Sequence, residues 1–121
     1  MAFWSKHAYR SVFPRVDTRL DEQYNVHMIR FEWDPAKAVR NVRKHGVSFE
    51  EASTAFTDPF ARVTFDPDHS EAEDRFILLG LSTAARMLVV CDCYQEEDEV
   101  IRIVSARKAN GRERKQYGRF L

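Results

Sequence analysis

Met28-Ile29-Arg30-Phe31-Glu32-Trp33 alternates apolar and polar side chains, the period of an extended strand. Asp34-Pro35 follows; aspartate suits a helix N-cap and proline the first helical position. The pattern predicts a helix to about Lys44-His45, stopped at Gly46, where a left-handed cap carries no Cβ penalty. A second helix opens within residues 47–52. Ser48 and Glu51 make a capping box, Val47 can staple against Ala52, and Phe49, Ala52, Ala55 and Phe56 form its buried stripe. After Asp58-Pro59 the period falls to two, predicting a strand over 60–65 that ends in the turn-forming Asp66-Pro67-Asp68-His69-Ser70. Residues 75–81, 86–93 and 100–105 read as three further strands, and their short connections imply an antiparallel meander. A last helix is expected over 111–120, capped by Asn110 and Glu113, with Tyr117, Phe120 and Leu121 facing inward. The expected fold is α+β, in the order β-α-α-β-β-β-β-α. Two N-terminal helices and a C-terminal helix pack on a mainly antiparallel sheet.

Residues 1–27 stand apart. They mix Phe3, Trp4, Tyr9 and Phe13 with scattered charges and show no period. They are expected to be a loosely held extension ahead of a domain spanning 28–121. The length suits one domain with a modest core. No apolar run is long enough to span a membrane, and the first residues lack the layout of a secretory signal, so a cytoplasmic protein is expected. Cys91 and Cys93 lie two apart in a predicted strand and share a face. Neighbours so placed make a strained disulfide, and no Cys/His cluster accompanies them, so two reduced thiols and no metal are expected. The zero net charge hides an uneven distribution. Residues 102–121 hold seven cations against one acid, a net of +6, and residues 66–99 hold ten acids against two arginines, a net of −8. A basic end of this kind attracts phosphate, unless its charges lie on a solvated face or pair with each other.

The usual catalytic signatures are missing: no glycine-rich phosphate loop, metal-binding histidine pair or nucleophile elbow occurs. Chemistry must come from groups that the fold gathers. Lys44-His45 at a helix end can supply a base and a phosphate contact, or simply complement the macrodipole. Glu73 and Arg75 share a strand face, as a base beside a phosphate clamp or as a surface ion pair. Arg86, Arg102 and Arg107 lie at or near strands, and Arg102 points away from the face of Ile101 and Ile103. Such arginines on one sheet face suit a phosphodiester whose charge grows in the transition state. His69-Ser70 reads as turn capping; Tyr117 belongs to the core or stacks on a base.

These residues also carry a family likeness. Phe31-Glu32-Trp33-Asp34-Pro35-Ala36-Lys37, Asn41, and Lys44-His45-Gly46-Val47-Ser48-Phe49-Glu50-Glu51-Ala52 resemble the opening of BrnT toxins. So do Asp58-Pro59, His69-Ser70, Glu73-Asp74-Arg75-Phe76, and Gly80 with Ser82. The segment Arg102-Ile103-Val104-Ser105-Ala106-Arg107-Lys108-Ala109, with Glu113-Arg114 and Tyr117, resembles the family's closing motif. The resemblance implies a RelE-like ribonuclease toxin of a type II toxin–antitoxin pair. It implies a BrnA-type antitoxin that binds the toxin and also DNA, so that this chain meets DNA only indirectly. It implies an assembly of two toxins with two antitoxins, and neither a cofactor nor a membrane. On that footing His45 or Glu73 serves as base, Arg75, Arg86, Arg102 and Arg107 hold the phosphate, and Lys44, Lys108 and Tyr117 contact RNA. Many relatives carry a histidine and an arginine where Asp92 and Gln95 stand here, and a carboxylate beside a phosphate repels it. The alternative is therefore a weak or inactive RelE-like module that binds antitoxin or nucleic acid. A second rival is a metal-assisted nuclease using the acidic middle to hold Mg²⁺.

Overall fold

The computed structural model describes residues 29–66, 74–95 and 99–118. The expected N-terminal extension, the His69-Ser70 turn, Glu73, and Phe120 and Leu121 of the expected last helix lie outside the described residues. In chain order the elements are β1 (Arg30–Glu32), α1 (Pro35–His45), α2 (Phe49–Thr54), a 3-10 turn (Ala55–Thr57), β2 (Arg62–Phe65), β3 (Arg75–Leu81), β4 (Met87–Gln95), β5 (Val100–Lys108) and α3 (Gly111–Gly118). This is the expected α+β order with one insertion, the 3-10 turn. The strands form one sheet in the order β1-β5-β4-β3-β2, with β1 parallel to β5 and every other pair antiparallel.

Local chemistry sets the helix ends. The Asp34 carboxylate accepts the Ala36 N–H at 3.2 Å, with Pro35 at the start of α1. Gly46 closes the helix at φ 68°, and its N–H donates to the Val42 carbonyl at 2.8 Å. Ser48 caps α2 by accepting the Glu51 N–H at 3.0 Å. The other half of the expected capping box is redirected: the Glu51 carboxylate accepts from Ser82 Oγ and from Arg86 across the fold. At α3 the box is reciprocal, with Glu113 N–H donating to Asn110 Oδ1 at 2.9 Å and Asn110 N–H to Glu113 Oε1 at 2.8 Å.

Strand alternation gives the sheet two faces. On one, α1 and α2 cover the main core, which includes Val47, Phe49, Ala52, Val63, Leu78, Leu88, Val90, Ile101 and Ile103. On the other, α3 covers a smaller cluster of Leu79, Val89, Ala109 and Tyr117. Gly80 allows the 3-10 turn to sit against β3; a Cβ there would lie 2.9 Å from the Ala55 carbonyl oxygen. Tyr117 ties α3 down by donating its hydroxyl to Asp58 Oδ2 at 2.6 Å, and the same carboxylate receives the Phe60 and Leu81 N–H groups.

Two features of β5 position the chemistry. Pairing with β4 jumps from Cys91↔Ser105 to Asp92↔Ile103, which leaves Val104 as an extra, bulged residue. Arg102 and Arg107 are five apart and would face opposite ways in a regular strand; the bulge brings both to the α3 face. Beyond its parallel pairing with β1, which ends at Glu32↔Arg102, β5 has no strand beside it there among the described residues. The buried Asn41 amide takes that place. It donates to the carbonyls of Ala106 at 2.8 Å and Val47 at 2.9 Å, and accepts the Ala106 N–H at 3.1 Å. One side chain thus joins α1, the α2 approach and the sheet edge, satisfying backbone groups that burial would otherwise orphan.

Candidate functional site

The expected site residues separate into two groups on opposite faces of the sheet. Lys44, His45, Arg86 and Lys108 belong to the α1–α2 side. Lys44 is exposed and His45 half-buried in the last turn of α1, where Arg43 is a third basic residue, and the helix dipole favours such groups there. Arg86 is held by Glu51 through two charged contacts, with Nε 2.8 Å from Oε2 and Nη2 against Oε1. It also donates to the Gly46 carbonyl at 3.1 Å. The Arg86 hydrogen bond holds the Glu51 carboxyl below the usual carboxylate range, and Glu51 in turn raises Arg86. Lys108 adds a weaker field at Glu51. Arg86 fastens the β3–β4 turn to α2, which accounts for its geometry without a ligand.

Arg75, Arg102 and Arg107 reach the α3 face. One cross-strand row runs Arg75↔Cys93↔Arg102↔Glu32 over β3, β4, β5 and β1. Two strand spacings separate the arginine backbones, about 10 Å, so two long side chains can meet over Cys93 around one phosphate. Arg102 Nε lies 3.6 Å from Glu32 Oε1, and the two side chains are 49% and 48% exposed. An exposed pair at that separation holds its partner weakly. A carboxylate beside a guanidinium is the pairing that the sequence suggests for Glu73 and Arg75. Glu32 supplies it from another strand, by a parallel pairing that no local pattern reveals.

The next row carries Ile77, Cys91 and Ser105, with Thr64 beside Ile77 on β2. Both cysteines are free thiols, and burial pushes the Cys91 thiol up, away from thiolate reactivity. Farther along, Arg62, Leu79, Val89 and Arg107 form a row under α3. Arg107 binds Glu113 in a bidentate pair, with both N···O distances 2.8 Å. That bond lowers Glu113, raises Arg107, and links the end of β5 to the cap of α3. Tyr117 is 8% exposed, and burial together with Asp58 pushes its hydroxyl up to about 12. Its ring is therefore core at the foot of the site, with its hydroxyl committed to Asp58. Arg62, also completely buried, lies close enough to oppose the Tyr117 shift. Along the chain nothing singles it out beyond its alternation with Val63.

Asp92 does not face the arginine row. It is 0% exposed and registers between Phe76 and Ile103, both core residues of the α1–α2 face. Its neighbours Cys91 and Cys93 point the other way. A phosphate over Cys93 therefore meets no carboxylate from Asp92. Gln95 ends β4 opposite Val100, and its side chain lies outside the described residues. Among the described residues no group of three or more His, Cys, Asp or Glu is gathered closely enough to hold a metal ion. No described helix is long and apolar enough to cross a membrane.

Residues 33–113 match the sequence model of a family described as the ribonuclease toxin BrnT of type II toxin–antitoxin systems. No curated protein sequence matches the chain. Among solved structures, the chain is similar to the 1.1 Å crystal structure of the Brucella abortus ribonuclease toxin BrnT, at 20% identity and a TM-score of 0.51. The alignment covers 69% of this chain and 99% of that one, and the likeness is one of fold.

Proposed function

Because the chain belongs to the BrnT family of ribonuclease toxins from type II toxin–antitoxin systems, we propose that it is an endoribonuclease that arrests translation and growth. Its site is the Arg75–Cys93–Arg102 row. The observation that supports this reading is the row itself: two guanidiniums on one sheet face, about two strand spacings apart, with the Glu32 carboxylate beside Arg102.

RNA brings its own nucleophile, the 2′-hydroxyl next to the scissile phosphate. A carboxylate takes the hydroxyl proton: Glu32, or Glu73 ahead of Arg75. The 2′-oxygen attacks phosphorus, the P–O5′ bond breaks, and the departing 5′-oxygen takes a proton from water. The products are a 2′,3′-cyclic phosphate and a 5′-hydroxyl. Arg75 and Arg102 bind the phosphate more strongly as its charge grows, which is how fixed cations lower the barrier. Arg107 supports the site through α3, and the cations around His45 and Arg86 form a separate patch on the other side. This step uses no metal. A BrnA-type antitoxin, two copies with two toxins, neutralises the protein in the cytoplasm.

Purified protein incubated with RNA in EDTA tests this. Cleavage leaving 2′,3′-cyclic ends is expected, with Arg75→Ala and Arg102→Ala each reducing the rate by a factor on the order of 100 or more. Intact RNA at high protein concentration, or undiminished cleavage and growth arrest in both variants, overturns the proposal. Cleavage that EDTA abolishes instead supports a metal-assisted nuclease.

A further inference from the structure

Where β1 leaves the sheet and α1 begins, the bulged part of β5 opens a cavity of about 350 Å³. It is lined by Trp33, Asp34, Pro35, Lys37, Arg102, Ile103 and Val104. Arg102 lines this cavity and also belongs to the arginine row. Trp33 is half-buried, with its ring edge-on to Phe49 at 6.0 Å, which fixes the indole in place. Lys37 is exposed in the first turn of α1, and no acidic residue stands in that turn. A lysine there runs against the helix dipole, which favours a carboxylate. Lys37 and Arg102 bring two cations to the lining, with the Glu32 carboxylate 3.6 Å from Arg102 Nε. The Asp34 carboxylate, which caps its own helix, also lines the cavity.

We propose that this cavity is a nucleotide subsite, holding the residue of an RNA chain next to the phosphate bound at Arg102. The base stacks on the Trp33 indole, the phosphate lies toward Lys37 and Arg102, and a base amine or ribose hydroxyl donates to Asp34. Aromatic stacking accepts any base, so this subsite adds affinity and register. The inference rests on the ribonuclease reading, since it is RNA that would connect the cavity to the arginine row.

The test uses the full chain with Trp4→Phe, so that one indole N–H signal reports Trp33. Adenosine 3′-monophosphate should shift that signal saturably, whereas inorganic phosphate alone should leave it in place. Lys37→Glu should weaken nucleotide binding about tenfold, the size expected for losing one phosphate cation and gaining a like charge. That variant places an acid where the helix dipole prefers one, so it folds at least as well as the parent and its loss is a loss of binding. Trp33→Phe keeps a ring against Phe49 but lacks the reporter indole; its binding, read by titration calorimetry with the same nucleotide, should be several-fold weaker as the stacking surface shrinks. No shift of the Trp33 signal at millimolar nucleotide, or equal affinity in Lys37→Glu, overturns the inference. RNA cleavage by a preparation that shows no Trp33 shift sinks the subsite and leaves the ribonuclease; nucleotide binding without cleavage does the reverse.

Discussion

Asn41→Ala removes a small side chain and should destabilise this protein as much as deletion of a core leucine. The amide is 7% exposed and makes three hydrogen bonds of 2.8 to 3.1 Å, to both backbone groups of Ala106 and to the Val47 carbonyl. A buried hydrogen bond contributes about 1 kcal/mol net, and a buried group left without its partner costs about 1–3 kcal/mol. Truncation orphans three backbone groups at once. Allowing for partial relaxation and entry of water, the loss should be about 3–4 kcal/mol, against a total stability on the order of 5–15 kcal/mol. In urea titrations with m about 1.5 kcal/mol/M, the midpoint should fall by about 2–2.7 M with m unchanged. Asn41→Asp is the sharper control. It keeps an acceptor for the Ala106 N–H but sets carboxylate oxygens against two carbonyls, so it should be at least as damaging despite its near-identical shape. Hydrogen exchange at the Ala106 amide should accelerate in both variants. A loss below about 1 kcal/mol in Asn41→Ala, or an aspartate variant as stable as the parent, would refute the view that this amide completes the sheet edge.

Glu51 and Glu113 both lie below the usual carboxylate range because of Arg86 and Arg107. Their stabilisation is complete above the unfolded value of about 4.3 and is lost as pH falls through the lower folded values. Urea midpoints should therefore drop on the acid side of about pH 4, and the double variant Glu51→Gln, Glu113→Gln should flatten that limb. Tyr117 runs the other way: its value is raised to about 12, so its contribution is full below about pH 10 and is lost as pH rises toward the folded value. Tyr117→Phe should cost about 1 kcal/mol at neutral pH and weaken the alkaline decline, read from urea midpoints between pH 9 and about 12. Arg102→Ala and Arg107→Ala should both abolish growth arrest, yet thermal melts should separate them. The exposed Arg102 pair changes stability by less than about 0.5 kcal/mol, whereas loss of Arg107 leaves Glu113 without its bidentate partner and costs about 1–3 kcal/mol. Equal melting temperatures for the two variants would contradict the structural role given to Arg107.

The periodicity of the chain determined its elements, because the signals involved act over a few residues. Alternation marked all five strands, and Asp34, Gly46, Ser48 and the Asn110–Glu113 pair marked helix ends that the structure reproduces. Extended backbone, a capped helix and a left-handed stop are each decided by contacts spanning four positions or fewer. The site was not decided at that range. The facing of Arg107 depends on Val104 bulging out of β5, and the place of Glu32 depends on a parallel partner 70 residues away. Asp92 threatens the phosphate when read along the strand, yet faces the helix-side core once register is fixed. Glu51, which reads as a local cap, instead reaches 35 residues along the chain to Arg86. Register, strand order and long-range ion pairs follow from which apolar faces must be buried together. Only the closed fold decides those, and with them which cations share a surface.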